Sequence, residues 1–260
     1  MVLWPPDARD VVIKVEGARP ATRIVSFCLF GDRAIYSVGA IQNAKLCPHI
    51  YPGWHCVFYV GHRVRRAVAE ALLGAGAEVR TYDEDVVVGF GALLLRFLPA
   101  AETVTISRDA DSRLNTREAA AVDEWIRSTA LYHVMREPCH PDRIMGGMWA
   151  ARGPIPDLPN RVSEFANKRR RLKYGDDMRF LEGFVPRHLA MYHTTFPPTL
   201  YKGFVGQPVN CVRCCDWHLF LSVGCPHVAA SRLLPSELST ALHHQPSILE
   251  TIASFDPRTT

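Results

Sequence analysis

The sequence predicts an α/β protein with a doubly wound parallel sheet flanked by helices, and three features predict it. Ile24 to Leu29 (IVSFCL) and His55 to Val60 (HCVFYV) are short, β-rich runs ended by glycine, with the near-continuous apolar character of strands buried on both faces. After the second run a helical period sets in, with Val64, Val68, Ala71 and Leu72 on one face and Gly74 and Gly76 at its end. The resulting rhythm of strand, helix or loop, strand, helix, strand is that of a doubly wound sheet, whose ligand sites lie at the carboxyl ends of the strands.

The elements follow in order. Residues 1–22 carry Pro5, Pro6, Gly17 and Pro20 with little periodicity, which gives an irregular leader or an added edge strand. A short strand is expected from Ala77 to Thr81, while Leu93 to Leu98 (LLLRFL) is too short a run for periodicity to choose between helix and strand. Glu102 to Ser107 (ETVTIS) alternates β-branched residues and reads as a strand that delivers Arg108-Asp109-Ala110-Asp111-Ser112-Arg113 at its end. Asn115 with Glu118 three places on resembles a capping box, and Ala119, Val122, Trp125 and Ile126 line one face of the helix it opens. Pro154, Pro156 and Pro159 predict an extended loop, followed by a strongly basic stretch from Arg161 to Lys173. A helix limited by Pro186 is expected within residues 176–190, and a polar-faced helix within Pro235 to Phe255.

Composition sets the outer bounds. With 48% hydrophobic and 22% charged residues the chain can bury one large core, so residues 23–260 read as a single domain after the leader, with 208–260 as a C-terminal extension. A net charge of +4, from 30 basic against 26 acidic residues, is too mild to indicate a nucleic-acid binder by itself, and a small anionic substrate fits equally well, so no nucleic-acid partner is expected. No stretch approaches the roughly 20 apolar residues of a membrane span or has signal-peptide character, which predicts a soluble, cytoplasmic protein with no transmembrane segment.

The acidic motif carries the chemistry. Asp109 and Asp111, separated by one residue in a turn after a strand, can direct carboxylate oxygens at one point, as a hard Mg2+ or Mn2+ ion requires. Such an ion, with Arg108 and Arg113 beside it, would stabilise the charge that develops on a diphosphate leaving group. Asp-x-Asp alone is a common surface-turn pattern, so its neighbours decide its weight.

Those neighbours supply a resemblance. The run ISRDADSRLNTREAAAVDEWI, then HVMREPCH and GGMWAARG, resembles a family of nucleotide-diphospho-sugar transferases of the GT-A type, found in bacterial surface-polysaccharide gene sets and in large DNA viruses. The likeness extends upstream to SFCLFGD, Tyr36, Gly39-Ala40, Asn43, YPGW, YVG, GAEV and Arg96-Phe97, and downstream to YGDDMRFL and FVGQ, over about residues 23 to 207 in the expected order.

The resemblance implies a GT-A fold, with a mixed, mainly parallel sheet flanked by helices, and a metal-dependent glycosyltransferase that moves a sugar from a nucleotide-sugar donor, UDP by default, to a glycan or glycoprotein acceptor. If the source is viral, the compartment is the host cytoplasm. It implies a cation on Asp109 and Asp111 completed by a late histidine, for which His193 is the best positional match and His188 and His218 compete. It further implies base and ribose contacts from the first strand and its loop, so Phe30, Gly31 and Tyr36 are candidates, and a donor site that also includes Ser112.

Arg96, in an otherwise apolar run, needs a phosphate, a sugar hydroxyl or a carboxylate to compensate its burial. Gly147, in Gly146-Gly147-Met148-Trp149, lets backbone approach a ligand, and Trp149 either stacks on a sugar or belongs to the core. The family usually has Asp-Gln where this chain has Asp177-Met178, which makes Asp177, with Asp176 as rival, the candidate acceptor-side carboxylate. A helix N-terminal cap is the alternative for either. Met178, and Glu137 where the family commonly has Asp, depart from the pattern and open a second reading: a catalytically degenerate fold that binds carbohydrate or a protein partner.

Two features stand outside the resemblance. Lys168 to Lys173 is either a solvated surface or a lure for an anionic donor. Cys211, Cys214, Cys215, His218, Cys225 and His227 offer ligands for one structural Zn2+, set against free thiols in a reducing compartment. Together these two features allow a third reading, a zinc-stabilised nucleic-acid module.

Overall fold

The computed structural model describes residues 3–136, 143–169, 171–194 and 207–208, all within the first of two units, Met1–Asn210, into which contacts divide the chain. Glu137, the Cys/His cluster and the expected helix within 235–255 lie outside the described residues.

The apolar runs form the strands that their patterns suggest. Counted along the chain, β1 is Val12–Glu16, β2 Arg23–Leu29, β3 His55–Gly61, β4 Glu78–Tyr82, β5 Val104–Ser107, β6 Tyr132–Arg136, β7 Trp149–Ala151, β8 Ala190–Thr194 and β9 Gln207–Pro208. They make one sheet in the order β1-β4-β3-β2-β5-β7-β6-β8-β9. Five neighbouring pairs are parallel, and β1 with β4, β5 with β7 and β6 with β7 are antiparallel. The leader supplies β1, the edge strand, after a 3-10 turn at Ala8–Val11 that Asp7 caps.

Alternation along the strands separates two cores. Phe27 and Phe58, in register and stacked at 4.6 Å, lie on one face. On that side α1 (Ala34–Ile50) and α2 (Arg66–Gly74) pack on β2, β3 and β4. Cys28 and Tyr59 point the other way, into a core with Leu94, Leu95, Phe97 and Leu98. LLLRFL is thus neither strand nor α-helix but part of a 3-10 stretch, Gly89–Ala101, which crosses under β2, β3 and β5.

Two further helices close this side. The stretch carrying Pro159 is not an extended loop: α4 runs Leu158–Asn167 with proline in its first turn, where an absent N–H costs no intrahelical bond. Its apolar face buries Leu158, Val162 and Ala166. The last helix, α5, is Asp176–Phe184 and stops just before Pro186, as expected. The fifth helix in space, α3 (Thr116–Arg127), has the expected cap: the Asn115 side chain accepts from the Glu118 N–H at 3.0 Å.

The connections set the ligand edge. From β2 the chain steps outward through β3 to β4, then returns to place β5 on the other side of β2. A doubly wound sheet opens a crevice where strand order reverses in this way, at the carboxyl ends of the strands. In this chain those ends are Phe30-Gly31, after β2, and Arg108 to Asp111, after β5.

Candidate active site

Packing against α1 fixes the acidic turn. Asn43, fully buried, donates from its amide to the Ser112 carbonyl at 2.6 Å and to the Ala110 carbonyl at 3.3 Å, and accepts from the Leu114 N–H at 3.1 Å. One turn earlier, Gly39 lies so close to the Ala110 carbonyl that no larger residue fits without displacing backbone. The motif is therefore clamped to a helix that begins just after β2, across the reversal point.

The carboxylates then converge on one guanidinium. Arg96, 3% exposed, makes an ion pair with Asp109 through Nη1 and with Asp177 at 2.8 Å through Nη2. Burial works against its charge, but the two aspartates outweigh it and raise its pKa. The sequence requirement that Arg96 find an anion is thus met by two carboxylates 68 residues apart, one from the turn after β5 and one from the first turn of α5.

Gly146 and Gly147 permit this convergence. A Cβ on Gly146 would strike the Asp177 carboxylate and the Arg96 guanidinium, and one on Gly147 would strike the Asp109 carboxylate. The Ser107 hydroxyl donates to the Gly146 carbonyl at 2.7 Å and ties this backbone to β5.

Asp111 is half-buried, and no other described residue donates a side-chain hydrogen bond to its carboxylate. Burial, and then the charge of Asp109, raise its pKa. Of the three carboxylates, Asp109 and Asp177 pair with Arg96, while Asp111 makes no ion pair among the described residues and feels the Arg96 and Arg113 charges only at longer range, Arg113 bonding Gln42 and the Ala110 carbonyl. That surplus of oxygen ligands and negative charge fits a hard divalent cation.

Other expected residues are placed elsewhere. Arg108 is buried and turned from the motif: its Nε donates to Glu118 at 3.0 Å and its Nη2 reaches the Tyr51 hydroxyl at 3.5 Å. It anchors β5 to α3 and is not free to meet a diphosphate. Trp149 is 1% exposed, edge-on to Phe97 at 5.3 Å, so it belongs to the core and has no face for a sugar.

Asp176 serves its own helix, accepting from the Lys173 N–H at 2.8 Å and from Arg179 at 3.0 Å, which leaves Asp177 as the carboxylate in the site. His193 is not gathered with the aspartates. Its Nδ1 is 2.8 Å from His133 Nε2, and its Nε2 lies 3.2 Å from Glu124 without hydrogen-bond alignment. Burial, and then His193 and Arg108, push the His133 pKa well down. Among the described residues the His/Asp/Glu/Cys trio close enough to hold a cation is His62, Asp83 and Asp85, where Asp85 pairs with Arg63.

Phe30, Gly31 and Tyr36 stand at the end of β2 and the start of α1, with the Arg33 guanidinium 5.5 Å over the Tyr36 ring. Ser112 is buried, its backbone carbonyl held by Asn43. Phe90 and Tyr174, to which sequence reading assigns no role, stand exposed beside this edge. Each is an aromatic next to glycine, Phe90 in an apolar run and Tyr174 in a polar one, which is the only signal they carry.

No protein-family model and no curated protein matches the chain. Among solved structures, a glycosyltransferase involved in the glycosylation of the major capsid of PBCV-1 is similar at 16% identity, over 68% of this chain and 82% of that one, with a TM-score of 0.44. Glucosyl-3-phosphoglycerate synthase from Mycobacterium tuberculosis, in complex with Mn2+, uridine diphosphate and phosphoglyceric acid, matches at 13% identity over 67% and 68%, with a TM-score of 0.42. A mannosyltransferase from Pyrobaculum calidifontis, in complex with GDP-Man and Mn2+, matches at 12% over 74% and 61%, with a TM-score of 0.41. At these identities residue roles rest on this chain's own geometry. No helix among the described residues is long and apolar enough to cross a membrane.

Proposed function

We propose that the chain is a metal-dependent glycosyltransferase of the GT-A type, transferring a sugar from a nucleotide diphosphate, UDP by default, to a glycan. The observation that carries this reading is the convergence of Asp109 and Asp177 on the Arg96 guanidinium, with Asp111 in the same turn as Asp109, at the strand-order reversal between β2 and β5. A doubly wound sheet binds nucleotides there, and the surplus carboxylate charge suits Mn2+ or Mg2+.

When bound, the divalent cation supplies charge neutralisation for the departing diphosphate. Asp111, which makes no ion pair among the described residues, is the principal ligand. Asp109 is the second, aimed by Arg96 and walled by Gly147. Phe30, Gly31 and Tyr36, at the end of β2 and the start of α1, take the nucleoside. Asp177 spends Oδ2 on Arg96 and has Oδ1 to orient a sugar hydroxyl. Because Arg96 joins Asp109 to Asp177, the cation ligand and the hydroxyl-orienting carboxylate hold a fixed spacing, which is the positioning that transfer requires.

The test is Asp111→Ala. Wild type binds UDP in the presence of Mn2+ by calorimetry and hydrolyses a UDP-sugar slowly in the absence of acceptor, whereas the folded variant does neither. Mn2+-dependent hydrolysis that survives in the variant overturns the mechanism.

A further inference from the structure

We propose that Tyr174, with Phe90 beside it, is the platform on which the acceptor's sugar ring stacks. This deepens the transferase reading and rests on it.

Three rings form a row along the carboxyl edge. Phe30, after β2, meets Phe90, early in the 3-10 stretch, at 6.3 Å and 87°, and Phe90 meets Tyr174, ahead of α5, at 5.7 Å and 72°. The row opens outward: Phe90 is 44% exposed and Tyr174 73%. Aromatic rings left this far in water add little to a core, and a run of them beside a polar cleft marks a surface that receives a ligand.

Local backbone aims the outer ring. Gly175, at φ +86°, occupies the left-handed region and turns the chain directly from Tyr174 into α5, which sets Tyr174 three residues from Asp177. Burial, and then the carboxylates of Asp109, Asp177 and Asp111, raise the phenol's pKa, so the hydroxyl stands in the field of the acidic cluster.

An aromatic face bordered by carboxylates is the complement of a sugar. The C–H face of a pyranose carries slight positive charge that the negative face of an aromatic ring attracts, and its hydroxyl rim donates to carboxylates. The inner end, Phe30, belongs with the donor nucleoside. The outer end, on the loop that also delivers Asp177, is open for the acceptor.

The experiment is saturation-transfer NMR on the full chain with Mn2+ and UDP, using methyl glycosides of the common hexoses and 6-deoxyhexoses as probes. Wild type and Tyr174→Phe saturate the C–H protons of one face of at least one glycoside. Tyr174→Ala loses that signal and Phe90→Ala weakens it. Absence of any glycoside signal in wild type, or its survival in Tyr174→Ala, overturns the proposal. So does a Tyr174→Ala variant that loses UDP affinity by calorimetry, since the ring would then belong to the donor. Failure of the transferase reading is seen separately, as wild type that does not bind UDP with Mn2+.

Discussion

Replacing Gly147 by alanine separates the chemistry of the site from the stability of the fold. The added Cβ lands against the Asp109 carboxylate, the end of a flexible side chain that is 25% exposed, so the aspartate can swing aside without moving backbone. An off-rotamer side chain costs about 1 kcal/mol, and loss of the Asp109 hydrogen bond to Arg96 adds about 1–2 kcal/mol while Arg96 keeps Asp177. The expected total of about 2–3 kcal/mol lowers Tm by roughly 2–4 °C per kcal/mol in a chain of this size. Function falls further, because Asp109 no longer points where Asp111 points, and Mn2+-dependent UDP affinity drops by at least about tenfold, or ~1.4 kcal/mol. Thermal melts and calorimetry on the same preparation read both quantities. A folded Gly147→Ala protein with wild-type Mn2+-dependent UDP affinity refutes the assignment of Asp109 to the cation.

Other outcomes follow from the same contacts. Arg96→Met leaves Asp109 and the 6% exposed Asp177 uncompensated, and destabilises the chain by about 3–5 kcal/mol in denaturant unfolding. Arg96→Lys, with one ammonium for two carboxylates, folds better than the Met variant but loses turnover. The pKa of Asp111 is raised in the folded state, so without metal the fold holds a proton there that the unfolded chain does not, and the contribution of Asp111 to stability is lost as pH rises from about 3.8 through the raised value. Asp111→Asn abolishes that loss in pH-dependent melts, while in wild type Mn2+ affinity weakens as pH falls through the same window. Trp149→Phe loses volume in the core and costs about 1–3 kcal/mol, yet leaves acceptor and donor KM near wild type; a KM change without a stability change would return Trp149 to the site.

The strands and their order along the chain were legible because buried parallel strands write themselves as apolar runs. IVSFCL, HCVFYV and ETVTIS became β2, β3 and β5 within a residue or two. β6 and β7 were not read, since YHVMR and WAA are too short and mixed to show a period, and α4 was hidden by a proline that its first turn accommodates. The need of Arg96 for an anion was legible from an arginine in an apolar run.

Its partners were not legible. Asp109 and Asp177 are brought to it only when β5, the 3-10 stretch and α5 pack together, and sequence spacing carries no information about that meeting. The same holds for the adjacent pairs. Arg108 and Asp109 are neighbours in sequence, yet one turns into the helix side and the other into the cleft. Asp176 turns back to the Lys173 N–H and to Arg179 while Asp177 reaches the site, because successive residues at a strand end or helix start point in different directions. The sequence alone determined that this chain forms an α/β fold around buried parallel strands, with an acidic turn after one of them. Tertiary packing decided which of the adjacent charged residues share that crevice, because side-chain direction and burial exist only once the layers have closed.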